Sequence, residues 1–116
     1  MDVSWIAAKS LGKLGDPEAV PHLIELLQHE DKWNRLGAVE GLAGIGDERG
    51  VEPLADLLKS DPERKVRKEA AKALSRIGGE DAQKALEMMK DEEDEVVRKA
   101  VLDALKRLQE NESKKE

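Results

Sequence analysis

The apolar positions of this chain fall into seven short stripes separated by polar, mostly acidic joints. The clearest stripe lies in DPERKVRKEAAKALSRIGG, residues 61–79, where Val66, Ala70, Ala73, Leu74 and Ile77 recur at the spacing of one helix face. Asp61 is placed to cap this helix, Pro62 to open its first turn and Glu63 to meet its positive end, while Gly78 and Gly79 stop it. The unit recurs. Aligned on its end, Leu14, Ile45, Ile77 and Leu108 match at steps of 31, 32 and 31 residues. Eleven residues before them stand Val3, Asn34, Val66 and Val97, followed by Ser4, Arg35, Arg67 and Arg98. Leu11, Leu42, Leu74 and Leu105 align as well. Four copies in register across most of the chain mark a repeat protein.

Three further helices lie between the copies. Asp16 and Pro17 open the first, which carries Ala19, Val20, Leu23, Ile24, Leu26 and Leu27. Asp47 opens the second, with Val51, Leu54, Ala55, Leu57 and Leu58, and the third follows Gly79 with Ala82, Ala85, Leu86, Met88 and Met89. The joints at 30–31, 60–61 and 91–94 read as turns. The pattern predicts an all-α chain of seven helices ordered B, A-B, A-B, A-B. It forms one domain over 1–110, a half-repeat 1–15 and repeats 16–46, 47–78 and 79–110, with 111–116 as a frayed tail. The first B helix carries Val3, Ile6, Ala7 and Leu11 with nothing before it to cover them. Three alternatives stand there: a self-sufficient cap, a homodimer contact, or the cut end of a longer array.

Composition narrows the class. Trp5 and Trp33 are the whole aromatic complement and Cys is absent, so the core must be Leu, Ala, Val and Ile, with no disulfide or thiolate metal site. No apolar run reaches membrane-spanning length and the N-terminus lacks a signal-peptide core, so the expectation is a cytoplasmic protein with no membrane partner. High charge with few Asn and Gln also resembles the composition of thermophile proteins.

The segments GDPEAVPHLIELL, GDERGVEPLADLL and VRKEAAKALSRIG resemble the short HEAT-like repeats of the bilin-lyase (PBS lyase) type, over about residues 3–108. The likeness lies in repeat length and in the Gly-Asp, Val-Arg and Ala-Ala positions. It implies a right-handed α-solenoid of about three and a half helical-hairpin repeats, A helices convex and B helices concave. Two departures are Asn34, polar where the other copies have Val, and the missing A helix before the first copy. Relatives with this repeat that bind di-iron and hydroxylate a lysine derivative place His-Glu directly after the B-helix Arg. Leu36-Gly37, Lys68-Glu69 and Lys99-Ala100 stand there in this chain, so that activity does not carry over.

Charge changes the picture most. The total of 26 acidic and 20 basic residues disfavours nucleic acid as a partner of the whole chain. Yet the B segments 1–15, 32–46, 62–78 and 96–110 hold 14 basic and 6 acidic residues, whereas the intervening A segments and turns hold 4 and 18. Part of that split is acidic residues gathering at helix N-termini. The outward B-helix positions read Trp5, Lys9, Lys13; Leu36, Glu40, Gly44; Lys68, Lys72, Arg76; and Lys99, Asp103, Arg107. Trp5 and Leu36 are the expected apolar anchors of a basic concave face. Gly37 and Gly44 leave the central helix bare at a cost of roughly 1 kcal/mol each against Ala, read here as room for a partner's approach or as drift.

Other constellations are weaker. His22 and His29 lie two turns apart on an acidic stretch and read as solvated. GLAGIG at 41–46 follows no strand and is no dinucleotide loop. The reading is therefore no catalytic, cofactor or metal site and no enzyme, but a protein-interaction scaffold whose basic face binds an acidic partner segment. The alternatives are an accessory subunit or enzyme of the bilin-lyase kind, and a nucleic-acid backbone binder using Lys65, Arg67, Lys68, Lys72, Arg76, Lys99 and Arg107.

Overall fold

Each acidic joint starts a helix by lending a carboxylate to backbone N–H groups that have no partner of their own. Asp16 accepts from the Glu18 N–H at 3.0 Å and Asp47 from that of Arg49 at 2.9 Å, each opening a 3-10 turn, Pro17–Ala19 and Glu48–Gly50, that runs into an A helix. Asp31 does the same for a B helix, accepting from the Trp33 N–H at 2.9 Å. The computed structural model describes the backbone of residues 5–115 and the side chains of 6–111. Among the described residues it holds seven α-helices and no strand: α1 Trp5–Leu14, α2 Val20–Leu26, α3 Lys32–Ile45, α4 Val51–Ser60, α5 Arg64–Ile77, α6 Glu80–Glu87 and α7 Glu95–Lys115. Val3 and Ser4 of the first copy lie outside the described residues.

Three boundaries differ from the pattern. α5 begins at Arg64, with Glu63 in the cap position and no side-chain bond; the Asp61 carboxylate instead accepts the Glu63 N–H at 2.9 Å, one step earlier. α6 ends at Glu87, which leaves Met88 71 % exposed rather than on an apolar stripe. α7 continues to Lys115, so the expected frayed tail is helical through that residue, an extension with no Gly or Pro to stop it.

The helices form two layers. α1, α3, α5 and α7 lie side by side, α2, α4 and α6 back them, and each A helix packs on the B helix that follows it. The extents of 42 × 34 × 18 Å match a sheet of helices two layers thick at about 8–10 Å per layer, as a solenoid requires. Leu23, Leu27, Leu42, Leu54, Leu58, Leu74 and Leu86 fill the space between the layers, fully buried. Among the described residues this core holds no aromatic ring, and close packing falls to Leu, Val and Ala.

Two devices set the spacing of the repeats. The first is the arginine that follows the Val or Asn column. Its Nη1 donates to the carbonyl six residues back in every described copy: Arg35 to His29 at 2.9 Å, Arg67 to Asp61 at 2.6 Å and Arg98 to Glu92 at 3.0 Å. Arg35 and Arg67 also reach the aspartate of the next turn, Asp61 and Asp94, so each ties one repeat to its successor. The second is a glycine seam between α1 and α3. A Cβ on Gly12 would lie 2.5 Å from the Gly41 Cα, one on Gly41 2.6 Å from the Ala8 carbonyl oxygen, and one on Gly44 2.7 Å from the Gly12 oxygen. Only glycine permits this approach, which seats α1 directly against α3. Ile6 and Leu14 remain exposed on its other side, 60 % and 78 %.

Candidate functional site

The B layer carries a groove of about 1130 Å³ that crosses α1, α3, α5 and α7 and is lined from no other element. Helical periodicity explains it. Columns of small residues recur beside columns of long charged ones, so the backbone surface lies low between raised side chains. Val39, Ala43, Ala73, Ala100 and Ala104 make an apolar floor and are buried. Lys9, Lys13, Lys68, Lys72, Arg76, Lys99 and Arg107 stand around it, against three acidic side chains, Glu40, Glu69 and Asp103.

Of the twelve outward positions read from the sequence, ten line this groove. Leu36 does not. It is 8 % exposed and belongs to the hydrophobic core, because an apolar side chain able to reach neighbouring helices gains more there than in water. The Trp5 side chain lies outside the described residues. The two glycines are corrected as well. Gly37 is buried and lines no part of the groove, and Gly44, though at its edge, is required by the contact with Gly12 rather than by an approaching partner. Arg67 is engaged with the Asp61 carbonyl and with Asp94, so it is not among the cations that face the groove.

Some of the groove's cations are already engaged. Lys9 Nζ lies 3.5 Å from Glu40 across the α1–α3 seam, and Lys72 Nζ lies 3.4 Å from Glu69 on its own helix. Asp94, beneath the N-terminal end of α7, is held below the ordinary carboxylate range chiefly by the Arg64 guanidinium, whose Nε donates to it at 2.8 Å.

Sequence reasoning passed over the floor and an exposed tryptophan outside the groove's lining. The floor was visible as the repeat columns Ser10, Gly41, Ala73, Ala104 and Gly12, Ala43, Ser75, Lys106, small at seven of eight positions, of which Gly12, Ala43, Ala73, Ser75 and Ala104 line the groove. Trp33 shares a repeat position with Val96, which lines the groove, and stands 48 % exposed with the Lys32 and Lys65 ammonium groups 5.6 and 5.5 Å from its ring. His22 is exposed, while His29 is half-buried. Its Nδ1 accepts the Asp31 N–H at 3.0 Å and lies 3.3 Å from the Asn34 amide, which accounts for the polar residue in a valine column. Among the described residues no group of three or more His, Asp or Glu side chains could hold a metal ion, and no helix is long and apolar enough to cross a membrane.

Comparison with known proteins adds names to this geometry. The profile of the HEAT repeats family matches residues 20–106, and that of the PBS lyase HEAT-like repeat matches residues 5–29. The chain is 49 % identical to the bilin biosynthesis protein PecE of Mastigocladus laminosus over 47 % of its own length and 20 % of that protein. It is 34 % identical to a phycocyanobilin lyase subunit alpha of Picosynechococcus over 88 % of the chain and 42 % of that protein. A phycocyanobilin lyase subunit beta of Pseudanabaena tenuis is 36 % identical over 75 % and 28 %. The chain thus spans less than half the length of these curated relatives. Their names overturn the expectation that the chain is no enzyme, since proteins sharing its repeats are named as lyase subunits.

Proposed function

This chain belongs to the HEAT-repeat family, and on that premise we propose that it is a binding module of a lyase-type assembly whose basic groove holds an acidic segment of a protein partner. The observation that carries this reading is the groove itself, seven cations to three carboxylates around a floor of Ala and Val. Cations of this density attract an anionic partner and fix its register, and the apolar floor supplies contact area once the segment is seated. Relatives named as alpha and beta subunits favour a protein as the partner.

The test is titration of the chain with a 20-residue polyglutamate at low and high salt, repeated on K68E/K72E/R76E. The expected result is binding that weakens with salt and is abolished in the variant while the helical melt stays unchanged. Capture unaltered by the charge reversals removes the groove from the reading.

The relatives' names support a second reading, in which the groove receives a bilin as part of an enzyme. Here the readout is the visible spectrum of a bilin mixed with the chain. A shifted spectrum lost in the same variant favours it over the polypeptide.

A further inference from the structure

The groove is electrically lopsided. At its α1–α3 end Lys9 is bound to Glu40, Lys13 is the one cation without an ion pair among the described residues, and the next repeat offers Gly44 where the other copies carry Lys13, Arg76 and Arg107. That gap cannot be filled, because any Cβ at 44 meets the Gly12 carbonyl oxygen at 2.7 Å. At the α5–α7 end, Lys68, Arg76, Lys99 and Arg107 line the groove, and none has an ion pair among the described residues. On each helix the two cations are eight residues apart, roughly 12 Å along the axis, and the helices lie about 8–10 Å apart. The four therefore stand at the corners of a frame over Ala73, Ala100 and Ala104.

Resting on the groove reading above, the geometry points to this α5–α7 frame as the seat of the acidic partner segment, with the α1–α3 half contributing little to anion capture. The occupant is a polypeptide with two clusters of carboxylates spaced to meet opposite edges of the frame. Alanine floors suit its aliphatic side chains and offer no aromatic ring on which a base could stack. Asp103 lies between Lys99 and Arg107, makes no ion pair among the described residues, and opposes an incoming carboxylate.

The experiment uses polyglutamate and variants matched in charge. K99Q/R107Q and K9Q/K13Q each remove two positive charges, so long-range attraction falls equally and any difference is local. The frame pair is expected to weaken binding about tenfold or more and the α1 pair less than about threefold, as direct charged contacts outweigh screened distant ones. D103N is expected to tighten binding, a gain that a merely damaged fold does not produce. Equal losses in the two pairs, or no gain with D103N, overturn the frame while leaving the groove reading intact. No binding to the unaltered chain at low salt overturns both. Preference for a 20-nucleotide oligothymidine over polyglutamate overturns the polypeptide as occupant.

Discussion

Arg35 and Asp61 face each other inside the protein, with Nε to Oδ2 at 2.8 Å and Nη2 to Oδ1 at 3.2 Å, and side chains only 9 % and 2 % exposed. The remaining Arg35 nitrogen donates to the carbonyls of His29 and Glu30, and Asp61 also accepts the Glu63 N–H. Such a pair owes its value to mutual satisfaction, because either partner alone is a stranded charge. Asp61→Ala and Arg35→Ala should therefore each cost about 3–5 kcal/mol in urea unfolding, and the double variant less than the sum of the two. Single losses under about 1 kcal/mol would refute this.

The glycine seam makes an opposite prediction from helix propensity. Alanine is worth about 1 kcal/mol over glycine inside a helix. At Gly41, however, the added Cβ meets the Ala8 carbonyl oxygen at 2.6 Å and Leu23 methyl groups at 3.0 and 3.1 Å. Gly41→Ala is expected to destabilise by about 1–3 kcal/mol despite the propensity gain. Gly50→Ala is the control: its Cβ meets only side chains, at 3.5 Å, so the melt should stay level or rise.

Both cases show what the sequence makes legible. Outward lysines and arginines were readable because a 3.6-residue period assigns each column a face, and the charged columns of α5 and α7 needed nothing more. Asp61 was read as a cap because its local neighbours are a turn and a helix. Its partner lies 26 residues away, and no local pattern announces such a pairing. Gly41 and Gly44 were equally opaque. A glycine records only a missing side chain, and the backbone that demands the absence belongs to another helix.

Leu36 separates an anchor from a core residue. At 8 % exposure and within the core cluster, it offers little surface to a partner. Leu36→Ala should cost about 2–5 kcal/mol in unfolding through the cavity it leaves. The polyglutamate affinity of the folded fraction, measured well below the melt, should stay within twofold of the unaltered chain. A loss of affinity with no loss of stability would restore it as an anchor.

Asp94 should make part of the stability depend on acid. Its carboxylate accepts from Arg64 Nε at 2.8 Å, from the Val96 N–H at 3.0 Å and, more weakly, from Arg67 at 3.4 Å. The Arg64 bond is the main reason that its folded pKa lies below the ordinary 3.8. A carboxylate depressed on folding stabilises fully above its unfolded pKa and loses that contribution as pH falls through the folded value. The gap in urea midpoint between the unaltered chain and Asp94→Asn should thus be constant from pH 7 to about 5 and close below 3.8. Asp47, depressed chiefly by its side-chain bond to Arg49, behaves in the same sense, so the measurement is cleaner in an Asp47→Asn background. A gap that persists undiminished to the lowest pH at which the chain stays folded would mean that the Arg64 contact does not hold in solution.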